Sequence, residues 1–312
     1  MITTDLDRFL ALARACAPDF GPATARAAFL VTPEGFARAE ESAQDNRYMA
    51  AAGYHAEAAL AEHRALQRAL SADVPVFAFP GDPATPDAVF PNNVFAIARP
   101  DAQVLPQAPP RLLVGRMRHA VRQAEAARAD IRGFFRDTAG AVEIDLSQQP
   151  HPCELTGSLV IDRARGLGFC GLSERCDEAG AALMHEAFGL RATLLFDLAA
   201  GEYHTNVVLA VLAGRALLVS PAGFAEPAVA QAIAGLYAPH AVLLERRQQA
   251  AFAANAIALS PQRVWMSAVA AASLDPARVQ ALARAGFELG QVPLAAIEAG
   301  GGSLRCCVAE VF

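Results

Sequence analysis

The sequence predicts a mixed α/β fold, and three features of its 312 residues indicate it. Short runs of β-branched, aliphatic and aromatic residues recur along the whole chain, each bounded by turn-forming residues. Longer stretches with helical periodicity stand between these runs. The resulting unit, a few short strands and one helix, repeats about five times. A regular doubly wound sheet would alternate strand and helix more strictly, so this spacing predicts α/β and no narrower class.

The elements follow one another from the first residue to the last. Residues 1–20 predict an amphipathic helix and not a signal peptide, because acidic residues come early and no cleavable apolar core follows. The predicted strands are 28–31, 74–79, 93–97, 111–114, 141–146, 158–161, 168–171, 192–196, 206–212, 216–220, 241–244, 256–259, 264–266, 287–291 and 305–311. The predicted helices are 51–70, 123–137, 176–188, 226–236, 245–251 and 276–285. The glycines at 300–302 precede a strand and not a helix, which argues against a nucleotide site.

Hydropathy and cysteine spacing restrict the class of protein further. No apolar run approaches the ~18 residues of a membrane span. The six cysteines are irregularly spaced and form no C-x-x-C pair, so neither a structural zinc site nor a disulfide framework is expected. The sequence therefore predicts a cytoplasmic protein with reduced thiols and with no metal or other cofactor. At least one of these thiols is a candidate for reactivity.

Charge argues for a small-molecule partner. Asp and Glu number 32 against 26 Lys and Arg, which gives a net charge of −6, and basic residues occur singly or in short pairs. This balance argues against a nucleic-acid partner and against an anionic membrane surface. The 54% hydrophobic content argues against disorder. Assembly into a homo-oligomer stays open.

The first candidate for chemistry is the C-terminal segment GGGSLRCCVAEVF, residues 300–312. Glycines permit close backbone approach or positive φ, and Cys306 and Cys307 follow at the start of an apolar run. A cysteine there is a nucleophile if its thiolate is stabilised, although most cysteines are small core residues. Because neighbours on a strand point to opposite faces, only one of the two thiols can face a site.

The second candidate is His204, which directly precedes an apolar strand-like run. Histidine is the side chain best suited to proton transfer near neutral pH, and a histidine at the start of a strand can reach a site built from loops. The alternative is a solvent-exposed loop histidine. The other six histidines fall mostly in helices or turns, and we expect them to be structural or exposed.

Polar residues beside three further strand-like runs complete the set of candidates. Asp87, Asn92 and Asn93 surround a turn in PDAVFPNN, where such residues also occur for purely local reasons. Glu154 lies just ahead of a strand-like run and can orient a histidine or bind a cationic substrate, or it is an exposed turn residue. Arg175 can clamp a carboxylate with two hydrogen bonds, and its alternative role is an ion pair with a neighbouring acid.

Taken together, these segments resemble the guanidino-group-modifying superfamily, also called penteins. The closest likeness is to its bacterial branch of arginine-deiminase-related or citrulline-utilisation hydrolases, which is amidinotransferase-like. The matching segments, in family order, are EESAQDNRYMA (40–50), PDAVFPNNVFA (86–96), ELTGSLVIDRARGLGFCGLSER (154–175), EYHTNVVLAV (202–211), FAANAIALS (252–260) and GGGSLRCCVAEVF (300–312). The resemblance implies a five-bladed, pseudo-symmetric β/α propeller with a narrow central site, as one catalytic domain in residues 25–312. An N-terminal helical extension, residues 1–24, lies outside the likeness.

The resemblance implies roles for three catalytic residues. Cys306 matches the nucleophile that follows the glycine loop, His204 matches the catalytic histidine, and Glu154 matches the acid beside it. The hypothesis that follows is a cysteine-dependent hydrolase of C–N bonds. Cys306 attacks the central carbon of a guanidine or urea group, and His204 protonates the departing nitrogen. Water activated by His204 then hydrolyses the covalent adduct.

The remaining candidates match residues that bind the substrate. Asp87 and Asn93 match residues that grip the planar head group, and Arg175 matches an arginine that binds the substrate carboxylate. Asn92, between Asp87 and Asn93 in the same turn segment, is a further candidate for substrate binding. Asn206 stands where arginine-acting members place an aspartate, and Asn93 is also an amide at a position that is acidic in those members. A buried guanidinium needs carboxylates, whereas a neutral urea needs donors and acceptors. The second hypothesis is therefore a ureido substrate such as citrulline.

Other activities fit the same residues. An amidinotransferase would use the same cysteine and histidine but pass the group to an amine. A dimethylarginine or succinylarginine hydrolase would act on a substituted guanidino substrate. A rival of another class is a catalytically silent pentein that serves as a binding module, and the retention of Cys306, His204 and Glu154 argues against it.

Overall fold

The computed structural model describes residues 1–312 and contains fifteen β-strands. They are β1 (Ile2–Thr3), β2 (Ala27–Val31), β3 (Val76–Phe79), β4 (Phe95–Ala98), β5 (Arg111–Val114), β6 (Val142–Asp145), β7 (Leu159–Asp162), β8 (Leu167–Leu172), β9 (Ala192–Asp197), β10 (Leu209–Leu212), β11 (Ala216–Val219), β12 (Ala241–Leu243), β13 (Arg263–Ser267), β14 (Glu288–Val292) and β15 (Ala309–Val311). The α-helices are α1 (Leu6–Ala15), α2 (Ala56–Leu70), α3 (Ala120–Gln123), α4 (Ala129–Gly133), α5 (Leu155–Ser158), α6 (Glu178–Phe188), α7 (Pro227–Gly235), α8 (Arg246–Ala250), α9 (Ala268–Ser273), α10 (Pro276–Arg284) and α11 (Ala295–Glu298). The 3₁₀ turns are Ser42–Gln44, Pro91–Asn93, Ala124–Ala127, Thr205–Val207, Pro221–Gly223 and Leu304–Cys307, and Phe134–Thr138 is π-helical.

The strands pair in one pattern that repeats along the chain. An antiparallel pair is followed, after at least one helix, by a third strand that runs parallel to the second. Four units follow this rule: β15–β2–β3, β4–β5–β6, β7–β8–β9 and β10–β11–β12. In the fifth unit, Ile257 forms an antiparallel bridge with Trp265 of β13, and β13 runs parallel to β14. The prediction of a mixed α/β fold built from repeated units is therefore confirmed.

The first and last strands of the chain pair with strands that are distant in sequence. The last strand, β15, pairs with β2 and so completes the first unit, and its Val311 also pairs with Ile97 of β4. At the other end, β1 adds to the outer edge of β9, with Ile2 opposite Thr193. The first unit is therefore assembled from residues at both ends of the sequence.

The buried apolar side chains form five clusters. Four of them join units that are consecutive along the chain, and one joins the fifth unit to the first. One cluster joins the third and fourth units and also contains Phe9 of α1 against Phe169 of β8. Three others join the first to the second, the second to the third and the fourth to the fifth unit. The remaining cluster packs the fifth unit, through Trp265, against Leu30 of the first. Each unit thus packs on two others.

Local capping explains where several helices begin and end. The Asp5 side chain accepts a hydrogen bond from the Arg8 N–H at 2.9 Å, so α1 begins at Leu6 and is shorter than the predicted helix 1–20. Asp177 caps α6 in the same way, and Gly189 ends that helix with φ of 66°. No helix of the structure is long and apolar enough to span a membrane.

The structure corrects two predicted elements. The predicted strand 305–311 begins instead as a 3₁₀ turn, because the Ser303 carbonyl accepts hydrogen bonds from the N–H groups of Cys306 at 3.0 Å and Cys307 at 3.3 Å. The predicted helix 123–137 is broken into shorter helical pieces, because Arg128 has a ψ of 95°, which is outside the helical range. The rest of the corrections concern short elements. Helices α5, α9 and α11 are not predicted, β1 stands within the predicted helix 1–20, and the predicted strand 256–259 makes only its one bridge to β13.

Candidate active site

A tight turn precedes the first strand of every unit, and the five turns are joined by hydrogen bonds and close contacts. These five leading turns are Pro91–Asn93, Leu155–Ser158, Thr205–Val207, residues 252–255 and Leu304–Cys307. Asn92 donates to Thr156 at 3.3 Å, and Asn206 donates to the Thr156 carbonyl at 3.1 Å. Asn255 in turn contacts both Asn206 and Cys306. Because these turns are brought together, residues from distant parts of the sequence share one site.

Cys306 and Cys307 lie on the same leading turn but face different surroundings. The Cys306 sulfur is fully buried, accepts a hydrogen bond from Asn255 Nδ2 at 3.2 Å and lies 3.7 Å from Asn206 Oδ1. Burial raises the pKa of the Cys306 thiol, and hydrogen bonds from the Ser303 turn and from Asn255 oppose that rise. The Cys307 sulfur instead donates to the Ser303 carbonyl at 3.4 Å and does not line the cavity described below. Only one of the two thiols faces the site, although a turn and not a strand separates them.

His204 and Glu154 form a buried pair. The two side chains are fully buried, and His204 Nε2 lies 2.8 Å from Glu154 Oε2. Burial opposes the ionised carboxylate, but the Arg175 guanidinium and the His204 ring hold the pKa of Glu154 well below its ordinary value. Burial lowers the pKa of His204, against the opposing effect of Glu154. Because an ionised carboxylate only accepts hydrogen bonds, Nε2 is the donor to Glu154, and Nδ1 has no partner in the protein.

Cys306 lines a small cavity, and His204 and Glu154 lie outside its lining. Its lining consists of Ser42, Asn46, Met49, Asp87, Phe90, Asn93, Arg122, Arg175, Tyr203, Gly300, Gly302 and Cys306. The imidazole of His204 lies beside this cavity, because a Cβ on Gly157 would be 2.5 Å from Asn93 Oδ1 and 2.7 Å from His204 Cε1. A side chain at position 157 would separate the histidine from the cavity wall. The structure thus brings the thiol, the imidazole and the carboxylate predicted from the sequence to one place.

Three acceptor atoms beside the cavity have no partner. Asp87 Oδ1, Asn92 Oδ1 and Asn93 Oδ1 are buried and receive no hydrogen bond. The second oxygen of Asp87 accepts from the Ser42 hydroxyl at 2.6 Å, and burial raises the pKa of this carboxyl. Asp87 and Asn93 line the cavity, whereas Asn92, predicted to bind the substrate, does not. Buried acceptors without donors are costly, so the site is suited to a ligand that supplies several N–H groups.

Arg175 is held by the protein through all its nitrogens. Nε donates to Asp45 at 2.9 Å, Nη2 donates to the Ser42 carbonyl at 3.1 Å, and Nη1 lies 3.3 Å from Glu154. Arg122, which the sequence analysis did not single out, lines the same cavity. Its Nε and Nη2 both donate to Glu125 at 2.8 Å, and its Nη1 makes no hydrogen bond to the protein. The cavity therefore holds one guanidinium with a free donor group, and it is not the predicted one.

Asn206 and Asn255 lie beside the sulfur. Asn206 donates through Nδ2 to Thr156, and its Oδ1 accepts from Asn255 Nδ2 at 3.3 Å, so both ends of this amide are engaged within the protein. Asn255 was missed as a functional residue, although its segment FAANAIALS belongs to the matching set. Asn255 is recognised only from the structure, in which it is the residue of the fifth leading turn that contacts Cys306. No group of three or more His, Cys, Asp or Glu side chains is placed to hold a metal ion.

Residues 42–49 contribute Ser42, Asn46 and Met49 to the cavity lining. Asn46 donates to the Gly301 carbonyl at 3.2 Å, and Met49 forms a bridge with Gly300. Gly301 has a φ of 77° and a Cβ there would lie 2.4 Å from Asn46, so this crossing requires glycine. The glycines at 300–302 thus serve close backbone approach, as the sequence predicts.

Comparison with known proteins gives a consistent family. The family model described as N,N dimethylarginine dimethylhydrolase, eukaryotic, matches residues 32–312. Among curated proteins, no relative matches this sequence significantly. Among solved structures, the chain is similar to the N-terminal domain of ArgZ, an arginine dihydrolase from the ornithine-ammonia cycle in cyanobacteria, with 18% identity and a TM-score of 0.77 over 91% of this chain and 97% of that one.

Two further structures have the same fold. Unliganded AgrE is 19% identical with a TM-score of 0.76 over 92% of this chain and 39% of the AgrE chain. A His-to-Gly variant of dimethylarginine dimethylaminohydrolase, seen as an adduct with S-methyl-L-thiocitrulline, is 19% identical with a TM-score of 0.67 over 92% of this chain and 99% of that one. At these identities the structural likeness concerns the fold.

Proposed function

This chain belongs to the N,N dimethylarginine dimethylhydrolase family, whose model matches residues 32–312, and we propose that it is a cysteine-dependent hydrolase of C–N bonds in a guanidino or ureido amino acid. One observation carries the proposal. A buried thiol lines a cavity whose wall presents hydrogen-bond acceptors without donors, and a buried imidazole, held by a carboxylate, packs against Tyr203 of that wall. That arrangement combines a nucleophile, a proton carrier and a binding site for a head group rich in N–H.

The proposed mechanism assigns each proton to a group. His204 Nδ1, which has no partner in the protein, takes the proton of the Cys306 thiol as sulfur attacks the central carbon of the head group. The same nitrogen then protonates the departing nitrogen, and a covalent adduct remains on sulfur. Water gives a proton to His204 and adds to the adduct, which releases the thiol. Glu154 stabilises the imidazolium that forms between these steps.

The head group is proposed to be ureido, and the reason lies at the sulfur. An aspartate in place of Asn206 would put a negative charge where Oδ1 now lies, 3.7 Å from Sγ. Such a charge opposes thiolate formation unless a cationic head group compensates it. With an amide at Asn206 and another at Asn93, the thiolate forms without a cation and the acceptors bind urea N–H groups. With citrulline, hydrolysis of the adduct by one water leaves a carbamic acid, which breaks its remaining C–N bond to release CO₂, so that the products are ornithine, ammonia and CO₂.

The substrate carboxylate has two candidate partners. The resemblance implies that Arg175 binds the substrate carboxylate, and this role stays a prediction. Each nitrogen of its guanidinium already makes a hydrogen bond to the protein. We propose that Arg122 also takes part, since its Nη1 is free and the residue lines the cavity. Arg175 would then act chiefly on Glu154, whose ionised form it stabilises.

Steady-state kinetics test the proposal. Purified protein is assayed for ammonia and ornithine release with citrulline, arginine, methylated arginines and their N-acyl forms. We expect kcat/KM for citrulline to exceed that for arginine by at least about tenfold, and Asn206→Asp to shift the ratio towards arginine because it restores a carboxylate near the head group. A strong arginine preference in the wild type would leave a guanidino hydrolase and remove the ureido proposal.

Three other outcomes of these assays would indicate the alternative functions. Consumption of substrate that requires an added amine acceptor would indicate an amidinotransferase. A protein that turns over none of the panel and has no fast-reacting thiol would be a binding module. A preference for methylated or N-acylated arginines would place the substrate in those classes instead.

The five units are proposed to form the blades of a pseudo-symmetric propeller, with residues 25–312 as one domain and residues 1–24 as an extension of it. Five apolar clusters join each unit to its neighbours, including the fifth to the first, which supports a closed ring around the leading turns. A cytoplasmic location and a homo-oligomeric state stay predictions.

A further inference from the structure

We propose that Asn255 is a fourth catalytic residue of this site, whose side-chain amide donates a hydrogen bond to the Cys306 sulfur and stabilises the thiolate. The inference rests on the proposed function only in taking Cys306 as the nucleophile. Asn255 is not among the candidate residues predicted from the sequence. It extends the catalytic set to the fifth leading turn.

The contacts of Asn255 determine which way its amide points. Its side chain is fully buried, and Oδ1 accepts a hydrogen bond from the backbone N–H of Cys306 at 3.3 Å. An N–H group can be matched only by the amide oxygen, so Nδ2 must occupy the other position. There Nδ2 lies 3.2 Å from Cys306 Sγ, and its other acceptors are the Asn206 carbonyl at 3.0 Å and Asn206 Oδ1 at 3.3 Å. The amide donor is thus directed at sulfur by the backbone of the residue that carries the sulfur.

No other side chain of the protein donates a hydrogen bond to this sulfur. The second polar atom near it, Asn206 Oδ1 at 3.7 Å, is an acceptor and so favours the protonated thiol. The adjacent Arg305 guanidinium is bound to the Val308 carbonyl at 2.7 Å and to Glu310 at 2.9 Å. Burial raises the pKa of the thiol, and the Asn255 amide acts against that rise. Removing the donor leaves a buried thiolate to which no side chain donates a hydrogen bond.

The leading turn of the fifth unit holds Asn255 in this position. Phe252 adopts a φ of 60°, which a non-glycine residue rarely does, and its carbonyl accepts the Asn255 N–H at 2.8 Å. The Asn255 carbonyl accepts the N–H of Arg305 at 3.4 Å, so the turn is also tied to the turn of the nucleophile. Asn255 does not line the substrate cavity. A change at this position should therefore affect the thiol more than substrate affinity.

The test measures thiol reactivity without substrate. Wild type, Asn255→Leu and Gln248→Leu are alkylated with iodoacetamide across the pH range, and the rate of Cys306→Ser is subtracted. Gln248 is the matched control, because it is a buried amide on the same segment that bonds to Glu245 and Ser273 and makes no hydrogen bond to Cys306. Asn255→Leu should lower the rate at neutral pH about tenfold to a hundredfold and move its pH midpoint upward, whereas Gln248→Leu should leave the midpoint unchanged.

Turnover and a second variant complete the test. Asn255→Leu should reduce kcat by a similar factor with little change in KM, as judged by the substrate that the wild type uses best. If Asn255→Leu does not fold, Asn255→Asp is used, which keeps the acceptor for the Cys306 N–H and replaces the donor by a carboxylate oxygen. A folded variant of either kind with an unaltered pH midpoint would overturn the proposal. Because alkylation needs no substrate, a wild type that turns over no candidate would count against the function and not against this role of Asn255.

Discussion

The cysteines at 306 and 307 are neighbours in sequence with opposite environments. Sγ of Cys306 contacts two amides and lines the cavity, whereas Sγ of Cys307 donates to the Ser303 carbonyl and lies outside the cavity lining. The sequence predicts that only one of the two faces a site. The prediction assumed that the two side chains alternate along a strand. In the structure both residues lie in a 3₁₀ turn, whose rotation directs successive side chains to different sides.

This difference makes a prediction for two alanine variants. Cys306→Ala should lose turnover below detection and keep its fold, because the nucleophile is removed while its turn is held by backbone bonds to Ser303. Cys307→Ala should keep turnover and lose about 1 kcal/mol of stability, since only a small core side chain is shortened. Turnover with the best substrate and urea unfolding measure the two effects. The reverse pattern would assign the nucleophile to Cys307.

At the scale of elements, the leading turn Leu155–Ser158 decides how closely the imidazole and the cavity wall approach. We expect Gly157→Ala to lower kcat at least about tenfold, because its Cβ would lie within 3 Å of both Asn93 and His204 and must displace one of them. Gly235→Ala is the control, since a Cβ there meets nothing within 4 Å. Kinetics and thermal unfolding of both variants measure the effect. Wild-type turnover in Gly157→Ala would show that this close approach is not needed.

Helix α2 carries a second prediction at this scale, which concerns pH. His63 is 1% exposed, neither ring nitrogen has a partner, and burial lowers its pKa to about 4. Above the pKa of a histidine in the unfolded chain, about 6.5, this group does not reduce the free energy of unfolding. As the pH falls from there towards the pKa of the folded state, the unfolded chain takes up a proton and the free energy of unfolding decreases. At pH 5 the wild type should have lost about 2 kcal/mol more than His63→Leu, relative to pH 7.5.

Urea unfolding at the two pH values measures this difference. His55→Leu is the matched control, because that histidine is exposed and precedes the same helix. It should keep the pH dependence of the wild type. An equal loss of stability in wild type and His63→Leu would remove His63 as the cause.

At the scale of the whole molecule, the N-terminal segment packs on the third unit. Phe9 of α1 is fully buried with its ring 5.6 Å from that of Phe169, and β1 extends the sheet at β9. Phe9→Ala should therefore cost about 3–5 kcal/mol of stability while kcat stays near that of the wild type. Phe134, which is 37% exposed, gives the control variant Phe134→Ala with a smaller loss. A negligible loss in Phe9→Ala would show that the segment is not part of the core.

Much of the fold was predictable because its signals are local. Runs of apolar residues bounded by turn residues predict strands from their own composition, and most strands of the structure overlap a predicted run. The broken helix between Ala120 and Thr138 was not predictable in the same way, since apolar periodicity continues across Arg128 while its backbone leaves the helical range. Strand pairing, including β15 with β2, depends on contacts between residues nearly the full chain apart.

The sequence by itself determined the chemical identity of the candidates: a thiol, an imidazole and a carboxylate beside strands, in an order typical of one family. Only the tertiary structure decided which polar groups are free. It bound every nitrogen of Arg175 to the protein, left Arg122 Nη1 without a partner, and directed the Asn255 amide at a sulfur 51 residues further along the chain. The physical reason is that chemical character belongs to each residue, whereas the availability of a hydrogen-bonding group depends on every segment packed around it.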